Sequence, residues 1–140
     1  MEDQSIMLNL PELLPSIIAI SEHAGQAIMA IYNQPERWEL QQKVDNSPLT
    51  AADLAAHHLI EQALQQLTPS ISVLSEESDD VSQRHTWSRL WLVDPLDGTK
   101  EFVARTNDFT VNIALIVDNK PVLGVLHAPV YGVTYYAAEG

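Results

Sequence analysis

The last third of the sequence alternates between strand-like segments and very short connections. Residues 109–117, 121–129 and 132–140 are rich in β-branched, aromatic and other apolar side chains, and only DNK and VY separate them. Connections of this length join antiparallel neighbours, because a parallel crossover needs about a dozen residues or more. The pattern therefore predicts an antiparallel meander on which the rest of the chain must pack.

Two helical segments precede this meander. Residues 11–34 and 50–67 carry apolar side chains at helical spacing, and Pro11 and Pro15 stand near the first start, where proline is tolerated. The predicted apolar face of the second helix consists of Leu54, Leu59, Ala63, Leu64 and Leu67. Both helices are thus predicted to be amphipathic.

Three shorter strands complete the predicted secondary structure, at residues 38–44, 71–74 and 90–94, with a turn at 45–48 and an irregular segment at 75–88. Helices first and strands afterwards favour an α+β fold over alternating βαβ units. The expected architecture is two helices packed on a largely antiparallel sheet.

Composition narrows the classes of function. The 140 residues include 19 acidic and 7 basic ones, and the net charge of −12 argues against binding to a nucleic acid polymer. There is no cysteine, so disulfides and thiolate metal sites are excluded. No apolar stretch approaches the ~20 residues of an integral membrane segment, and the acidic N-terminus lacks the basic start of a signal peptide. We therefore expect one cytoplasmic domain. Peripheral association with the inner membrane is left open, and so is the oligomeric state.

An apolar strand ends in two carboxylates within WLVDPLDGTK, residues 91–100. Asp94 could cap the following turn, and Asp97 with Gly98 could form a β-turn, both common uses of these residues. Two acids this close also repel each other unless a cation or a set of donors compensates, and hard oxygen ligands suit Mg²⁺. The spacing alone leaves both interpretations open.

Two further acids extend this candidate site. Glu76 follows the strand at 71–74 and would emerge beside Asp94 if the two strands are neighbours in one sheet. Asp53 stands three residues after Thr50, which is the spacing of a capping box, although a carboxylate in a first helical turn can also face a cleft.

The remaining candidates carry weaker signals. Gly98 and Thr99 could open a short helix whose N–H groups and hydroxyl would bind phosphate. The acids of the 75–80 segment other than Glu76 are interpreted as a solvated loop. The five histidines show no ligand pattern, and His57 and His58, adjacent on a helix, are predicted to point different ways.

The motif DPLDGT at 94–99, preceded by WLV and by SEES at 75–78, resembles the signature of the inositol monophosphatase superfamily of Mg²⁺-dependent, lithium-sensitive phosphatases. KVDNSPLTAAD at 43–53, together with WLVDPLDGTKEF and FTVNIALI, is similar to its bacterial 3'(2'),5'-bisphosphate nucleotidase branch. Inositol monophosphatases proper more often have a Thr-Asn-Phe-like triplet at the position of Lys100–Phe102. The resemblance implies the layered α/β sandwich of the sugar-phosphatase type.

The resemblance also implies metal ligands. Glu76 matches the carboxylate that binds the first Mg²⁺, and Asp94 matches the ligand that bridges two metals. Leu96 matches a residue whose backbone carbonyl binds the first metal, and Asp97 matches a ligand of the second. Lys43 matches a lysine at the mouth of the same site.

Catalytic and substrate-binding residues follow from the same comparison. Asp53 and Thr99 match the pair that orients and deprotonates the attacking water, with Glu76 counted beside them as catalytic. Asp97, Gly98 and Thr99 would contact the scissile phosphate, and Glu76 and Leu96 are included in the substrate-binding set.

The implied reaction removes the 3'-phosphate of adenosine 3',5'-bisphosphate to give AMP and phosphate, a step that recycles a by-product of sulfate assimilation. The alternatives are an inositol or sugar-phosphate phosphatase, or a cation-binding fragment without turnover. Family members are roughly twice as long, and none of Trp38, Trp87 and Trp91 begins the Trp-Asp motif of their second half. We therefore expect residues 1–140 to be an N-terminal metal-binding domain without its C-terminal domain, weakly active or inactive alone.

Overall fold

The computed structural model describes residues 9–43, 48–77 and 88–139. Within these ranges the helices are α1 (Leu10–Tyr32), a short 3₁₀ turn (Pro35–Arg37), α2 (Ala51–Leu67) and α3 (Thr99–Ala104). The strands are β1 (Gln41–Gln42), β2 (Pro48–Leu49), β3 (Ser72–Ser75), β4 (Arg89–Asp97), β5 (Thr110–Val117), β6 (Lys120–Ala128) and β7 (Val133–Ala138). The α+β class is as expected.

The main sheet has five strands in the order β3-β4-β5-β6-β7. The three pairings from β4 to β7 are antiparallel, whereas β3 runs parallel to β4. The predicted meander is thus confirmed, and β3 can run parallel to β4 because residues 76–88 between them are enough for the crossover of about a dozen residues that a parallel pair needs.

The strand predicted at 90–94 is longer than expected. β4 continues through Pro95 and Leu96 to Asp97, and its register with β5 shifts between Asp94 and Asp97. Proline cannot donate to a strand ladder, and an irregularity of this kind accommodates it. The residues after Asp94 therefore continue the strand and do not form the turn that Asp94 could have capped.

Of the strand predicted at 38–44, the described residues 38–43 are mostly irregular. β1 forms only at Gln41–Gln42, where it pairs with β2 in a separate two-stranded sheet. The predicted turn at 45–48 lies almost wholly outside the described residues, and so does most of the predicted loop at 75–88.

One face of the main sheet packs against α1 and α2. Alternate residues of the central strands point into this core, among them Trp91 and Val93 of β4 and Ile113 and Leu115 of β5. The predicted face of α2 was largely wrong, because the buried row is Ala52, Ala56, Ile60 and Leu64. Of the predicted residues only Leu64 belongs to this row, while Leu59 packs at the margin of the core and Leu67 is exposed.

Helix α1 is long and apolar enough to cross a membrane by length and composition alone. This differs from the expectation that no stretch approaches that length. Ile17, Ala24 and Ile28 are fully buried against α2 and the sheet, the arrangement of a core helix, and core helices pass the same test.

Candidate active site

Glu76 and Asp94 come together at one edge of the sheet. β3 and β4 run parallel with Ser75 beside Val93, so the next residue along each chain lies at the same edge. The Glu76 N–H donates to the Val93 carbonyl at 2.9 Å. The expectation that these two acids emerge side by side is confirmed.

Asp94 is half-buried among like charges. Burial, and after it the charges of Asp97 and Glu76, raise the pKa of Asp94 from 3.8 to about 6, while Lys43 opposes this rise. A raised carboxyl pKa means that the charged form lacks compensation in its surroundings. A cation among these groups would supply that compensation.

Asp97 is exposed and has an amide partner. Residues three apart on a regular strand face opposite sides, and the register shift in β4 allows Asp94 and Asp97 to share one neighbourhood. The Asn112 amide donates to Asp97 Oδ2 at 3.0 Å, and Asn112 is paired with Asp94 across the strands. Sequence reasoning missed Asn112, although a polar residue inside the apolar run TVNIALIV is a usable signal.

Asp53 combines a structural role with a place in the site. Its Oδ2 accepts from the Thr50 N–H at 2.8 Å and from the Thr50 hydroxyl at 2.7 Å, which completes the capping box predicted for α2. Its Oδ1 accepts from the Thr99 hydroxyl at 2.8 Å. Asp53 is fully buried, so each oxygen has a defined partner.

Thr99 reaches Asp53 because Gly98 turns the chain. Gly98 has a φ of 99°, in the left-handed region that favours glycine, and it precedes the first residue of the predicted short helix, α3. The Thr99 hydroxyl also lies 3.3 Å from the Leu96 carbonyl. A hydroxyl has one hydrogen, so the shorter contact to Asp53 takes it and the Leu96 oxygen remains available.

Lys43 and Glu77 form an ion pair beside these acids, with Lys43 Nζ 3.0 Å from Glu77 Oε2. Burial lowers the pKa of Lys43, but the bond to Glu77 and the charges of Asp53 and Glu76 outweigh it, so this pKa is raised above 10.5. The Glu77 side chain is 7% exposed, so its interpretation as part of a solvated loop was wrong. Sequence spacing gave no sign of a pair so distant along the chain.

We name two sides of this site. The water side is Thr50, Asp53 and Thr99, and the cation side is Glu76, Asp94 and Asp97. Together with the Leu96 carbonyl, the cation side offers hard oxygen donors, which fit Mg²⁺. A cation there would also relieve the repulsion that raises the pKa of Asp94.

A second group of possible ligands lies on α2. His57, His58 and Glu61 bring ligand atoms within 4.8 Å of one another, and the two rings are 5.0 Å apart between centroids. His57 is buried and His58 exposed, as expected for neighbours on a helix, but Glu61, one turn later, lies near both rings, so the expectation that the histidines show no ligand pattern did not anticipate this group. Ligands of tetrahedral zinc lie about 3.4 Å apart for bonds of ~2.1 Å, so this group is looser than a formed site.

The outer face of the sheet carries an open groove of about 820 Å³. It begins at Glu76 and Asp94 and crosses β5 and β6 to β7. Much of its lining is apolar, and Leu92 and Tyr135 within it are 47% and 66% exposed. The cation side thus opens onto an apolar surface that the described helices do not cover.

Sequence comparison assigns this arrangement to a family. The profile of the inositol monophosphatase family matches residues 9–140. The chain belongs to this family. It is 54% identical over 129 residues to the 3'(2'),5'-bisphosphate nucleotidase CysQ of Salmonella typhimurium, covering 91% of this chain and 52% of that protein. For CysQ of Escherichia coli K12 the identity is 52% over the same shares.

Solved structures agree on the fold. CysQ from Bacteroides thetaiotaomicron is 44% identical with a TM-score of 0.76, covering 94% of this chain and 47% of that one. The extragenic suppressor protein SuhB from Bartonella henselae is 26% identical with a TM-score of 0.84, covering 92% and 50%. The expected inositol monophosphatase-like fold is confirmed, and the chain spans about half the length of the relatives it matches.

Proposed function

We propose that this chain provides the metal and water site of a Mg²⁺-dependent phosphomonoester hydrolase that removes the 3'-phosphate of adenosine 3',5'-bisphosphate. The observation that carries the proposal is the 2.8 Å hydrogen bond from Thr99 to buried Asp53, beside the acids of the cation side. The substrate follows from the names of the relatives, which are 52–54% identical.

The cation side and the Leu96 carbonyl would hold the metal. Mg²⁺, when bound, would lower the pKa of the attacking water and neutralise charge on the phosphate. Asp97, Gly98 and Thr99 would orient the phosphate, with Glu76 and Leu96 at its margin. Lys43 holds Glu77, so its positive charge stays beside the acids when substrate enters.

The water side would move the proton. Thr99 donates its hydrogen to Asp53 Oδ1, which leaves its own oxygen free to accept one from water. As the water oxygen attacks phosphorus and the bond to the 3'-oxygen breaks, the water proton would pass to Thr99 and the Thr99 proton to Asp53. The leaving 3'-oxygen takes a proton from solvent. Because Oδ2 of Asp53 stays bonded to Thr50, the carboxylate does not rotate away.

We also propose that residues 1–140 form the N-terminal domain of this enzyme, and that the half found in the relatives packs over the outer face of the sheet. The apolar groove from Asp94 to Tyr135 supports this, because such a surface is unfavourable in water. The same half would complete the second metal site and the adenosine pocket. We propose the cytoplasm as its compartment, because the proposed substrate is a free nucleotide.

The test is phosphate release from adenosine 3',5'-bisphosphate with Mg²⁺, by this chain alone and together with the second half of the Salmonella relative. We expect little release alone and clear release from the mixture. Asp94→Asn in the mixture should remove it, and equal rates for Asp94→Asn and wild type would overturn the assigned role.

Thr99 offers a matched pair of variants. Thr99→Ser keeps the hydroxyl and should retain most of the activity, whereas Thr99→Val keeps the shape and should lower the rate about 100-fold or more. Inositol monophosphate is the comparison substrate. Faster release from it than from the nucleotide would favour the alternative phosphatase, and Mg²⁺ binding without release from either would favour a cation-binding fragment.

A further inference from the structure

A buried histidine of α2 contacts the strand end that carries the two glutamates. His57 is 7% exposed and lies one helical turn after Asp53, on the same side of α2. Its Nδ1 lies 2.9 Å from Oγ of Ser75, the last residue of β3. This contact joins the helix that holds the water side to the strand that leads to Glu76.

Ser75 extends the contact to the glutamate backbone. The Glu77 N–H donates to Ser75 Oγ at 3.2 Å, and the Glu76 N–H donates to the Val93 carbonyl at 2.9 Å. One glutamate is therefore fixed by β4 and the other by a serine that His57 contacts. The Glu77 side chain then pairs with Lys43.

The surroundings of the imidazole fit this arrangement. His57 Nε2 lies 3.7 Å from Glu61 Oε1, so a proton on Nε2 faces a carboxylate and Nδ1 is left as an acceptor. The Ser75 hydroxyl can donate to that nitrogen while its oxygen accepts from the Glu77 N–H. The two hydrogen-bond contacts of Ser75 Oγ, to His57 Nδ1 and from the Glu77 N–H, are thus compatible with each other.

We propose that His57 is a positioning residue, which acts through Ser75 to hold the Glu76–Glu77 turn at a fixed distance from Asp53. The cation side and the water side would then stay aligned. The inference rests on the proposed function for the roles of Glu76 and Asp53. Groups behind metal ligands commonly set the metal affinity without touching the metal.

The test measures Mn²⁺ binding to this chain by electron paramagnetic resonance, with Mg²⁺ as competitor. His57→Gln loses the nitrogen near Ser75 and should weaken binding about 10-fold, the low end of the range for groups behind metal ligands. His57→Asn places an amide near the Nδ1 position and should recover most of that loss. Thermal unfolding of both variants shows whether a general loss of stability explains the difference, and equal Mn²⁺ affinity for the two would overturn the proposal.

A double-variant cycle tests the route through Ser75. If His57 acts through Ser75, the His57→Gln/Ser75→Ala chain should bind Mn²⁺ no more weakly than the weaker single variant. Additive losses would contradict the proposal. The matched control is His58→Gln, at the exposed neighbour, which should bind as wild type does. If His58→Gln lost as much Mn²⁺ affinity as His57→Gln, the ion would be bound by His57, His58 and Glu61, and the positioning role would be overturned.

Failure of this inference differs from failure of the proposed function. Mn²⁺ binding that depends on His57, without phosphate release when the second half is supplied, contradicts the reaction and supports the positioning role. Phosphate release with unchanged Mn²⁺ affinity in His57→Gln overturns the positioning role alone. A wild-type chain that binds no Mn²⁺ overturns both.

Discussion

The two sides of the candidate site are built in opposite ways. On the water side, Asp53 is fully buried and both of its oxygens accept hydrogen bonds, from Thr50 and Thr99. On the cation side, Asp94 is half-buried and its pKa is raised to about 6 by burial and by neighbouring acids. The fold completes the first carboxylate by itself, whereas around the second the neighbouring acids of the described residues outweigh the positive charge of Lys43.

Because of this difference, removing a carboxylate charge should lower the stability of the fold on the water side and raise it on the cation side. Removing the charge of Asp53 takes away acceptors that buried donors need. Removing the charge of Asp94 relieves a repulsion in the metal-free chain. Substitutions on the two sides can therefore confirm or contradict the comparison.

The largest effect is expected for Asp53→Asn. An amide nitrogen cannot accept from Thr50 or Thr99, so a buried donor is left unpaired and the free energy of unfolding should fall by about 3 kcal/mol. Urea unfolding measures this. Asp118→Asn, in an exposed turn, is the matched control and should change little. A loss no larger than that of the control would show that the water side is not held as described.

A smaller loss is expected for Gly98→Ala. At a φ of 99° a side chain is strained, and its Cβ would lie 3.0 Å from the Asp108 carbonyl oxygen. The left-handed conformation alone costs about 1–2 kcal/mol. Gly124→Ala is the control, because a Cβ there meets nothing within 4 Å. If urea unfolding gives equal losses of stability for Gly98→Ala and Gly124→Ala, the backbone at Gly98 is not the constraint that brings Thr99 to Asp53.

The smallest effect, and one of opposite sign, is expected for Asp94→Asn. Because the folded pKa of about 6 lies above the ordinary 3.8, the folded metal-free chain holds this proton more tightly than the unfolded chain. Its contribution to stability is thus present at low pH and lost as pH rises through about 6. In EDTA, Asp94→Asn should melt above wild type at pH 8, with the difference shrinking toward pH 5.

Added Mg²⁺ should reverse this order at pH 8, raising the melting temperature of wild type and leaving that of Asp94→Asn almost unchanged. Burial lowers the pKa of His127, so its contribution to stability is lost as pH falls, opposite to that of Asp94. Wild type and Asp94→Asn are therefore compared with each other at each pH. A wild-type melting temperature that Mg²⁺ does not move at pH 8 would contradict the proposed cation side.

Local sequence patterns predicted the elements that local interactions build. The capping box of Thr50 and Asp53, the short helix after Gly98 and the antiparallel meander each depend on neighbours within a few residues or on short turns. The buried row of α2 was not predicted, because the choice between its alanine face and its leucine face depends on what packs opposite. The pair of Lys43 and Glu77 was missed for the same reason.

Residue patterns alone were enough to predict an α+β fold with an acidic motif at the end of a strand, and the motifs identified the family. The tertiary structure decided which acids meet. A parallel pairing of β3 and β4 brings Glu76 to Asp94, an irregularity at Pro95 brings in Asp97, and α2 brings Asp53 to Thr99. Electrostatic compensation depends on distance in space, and residues 46 apart along the chain share a hydrogen bond only after the helices have packed on the sheet.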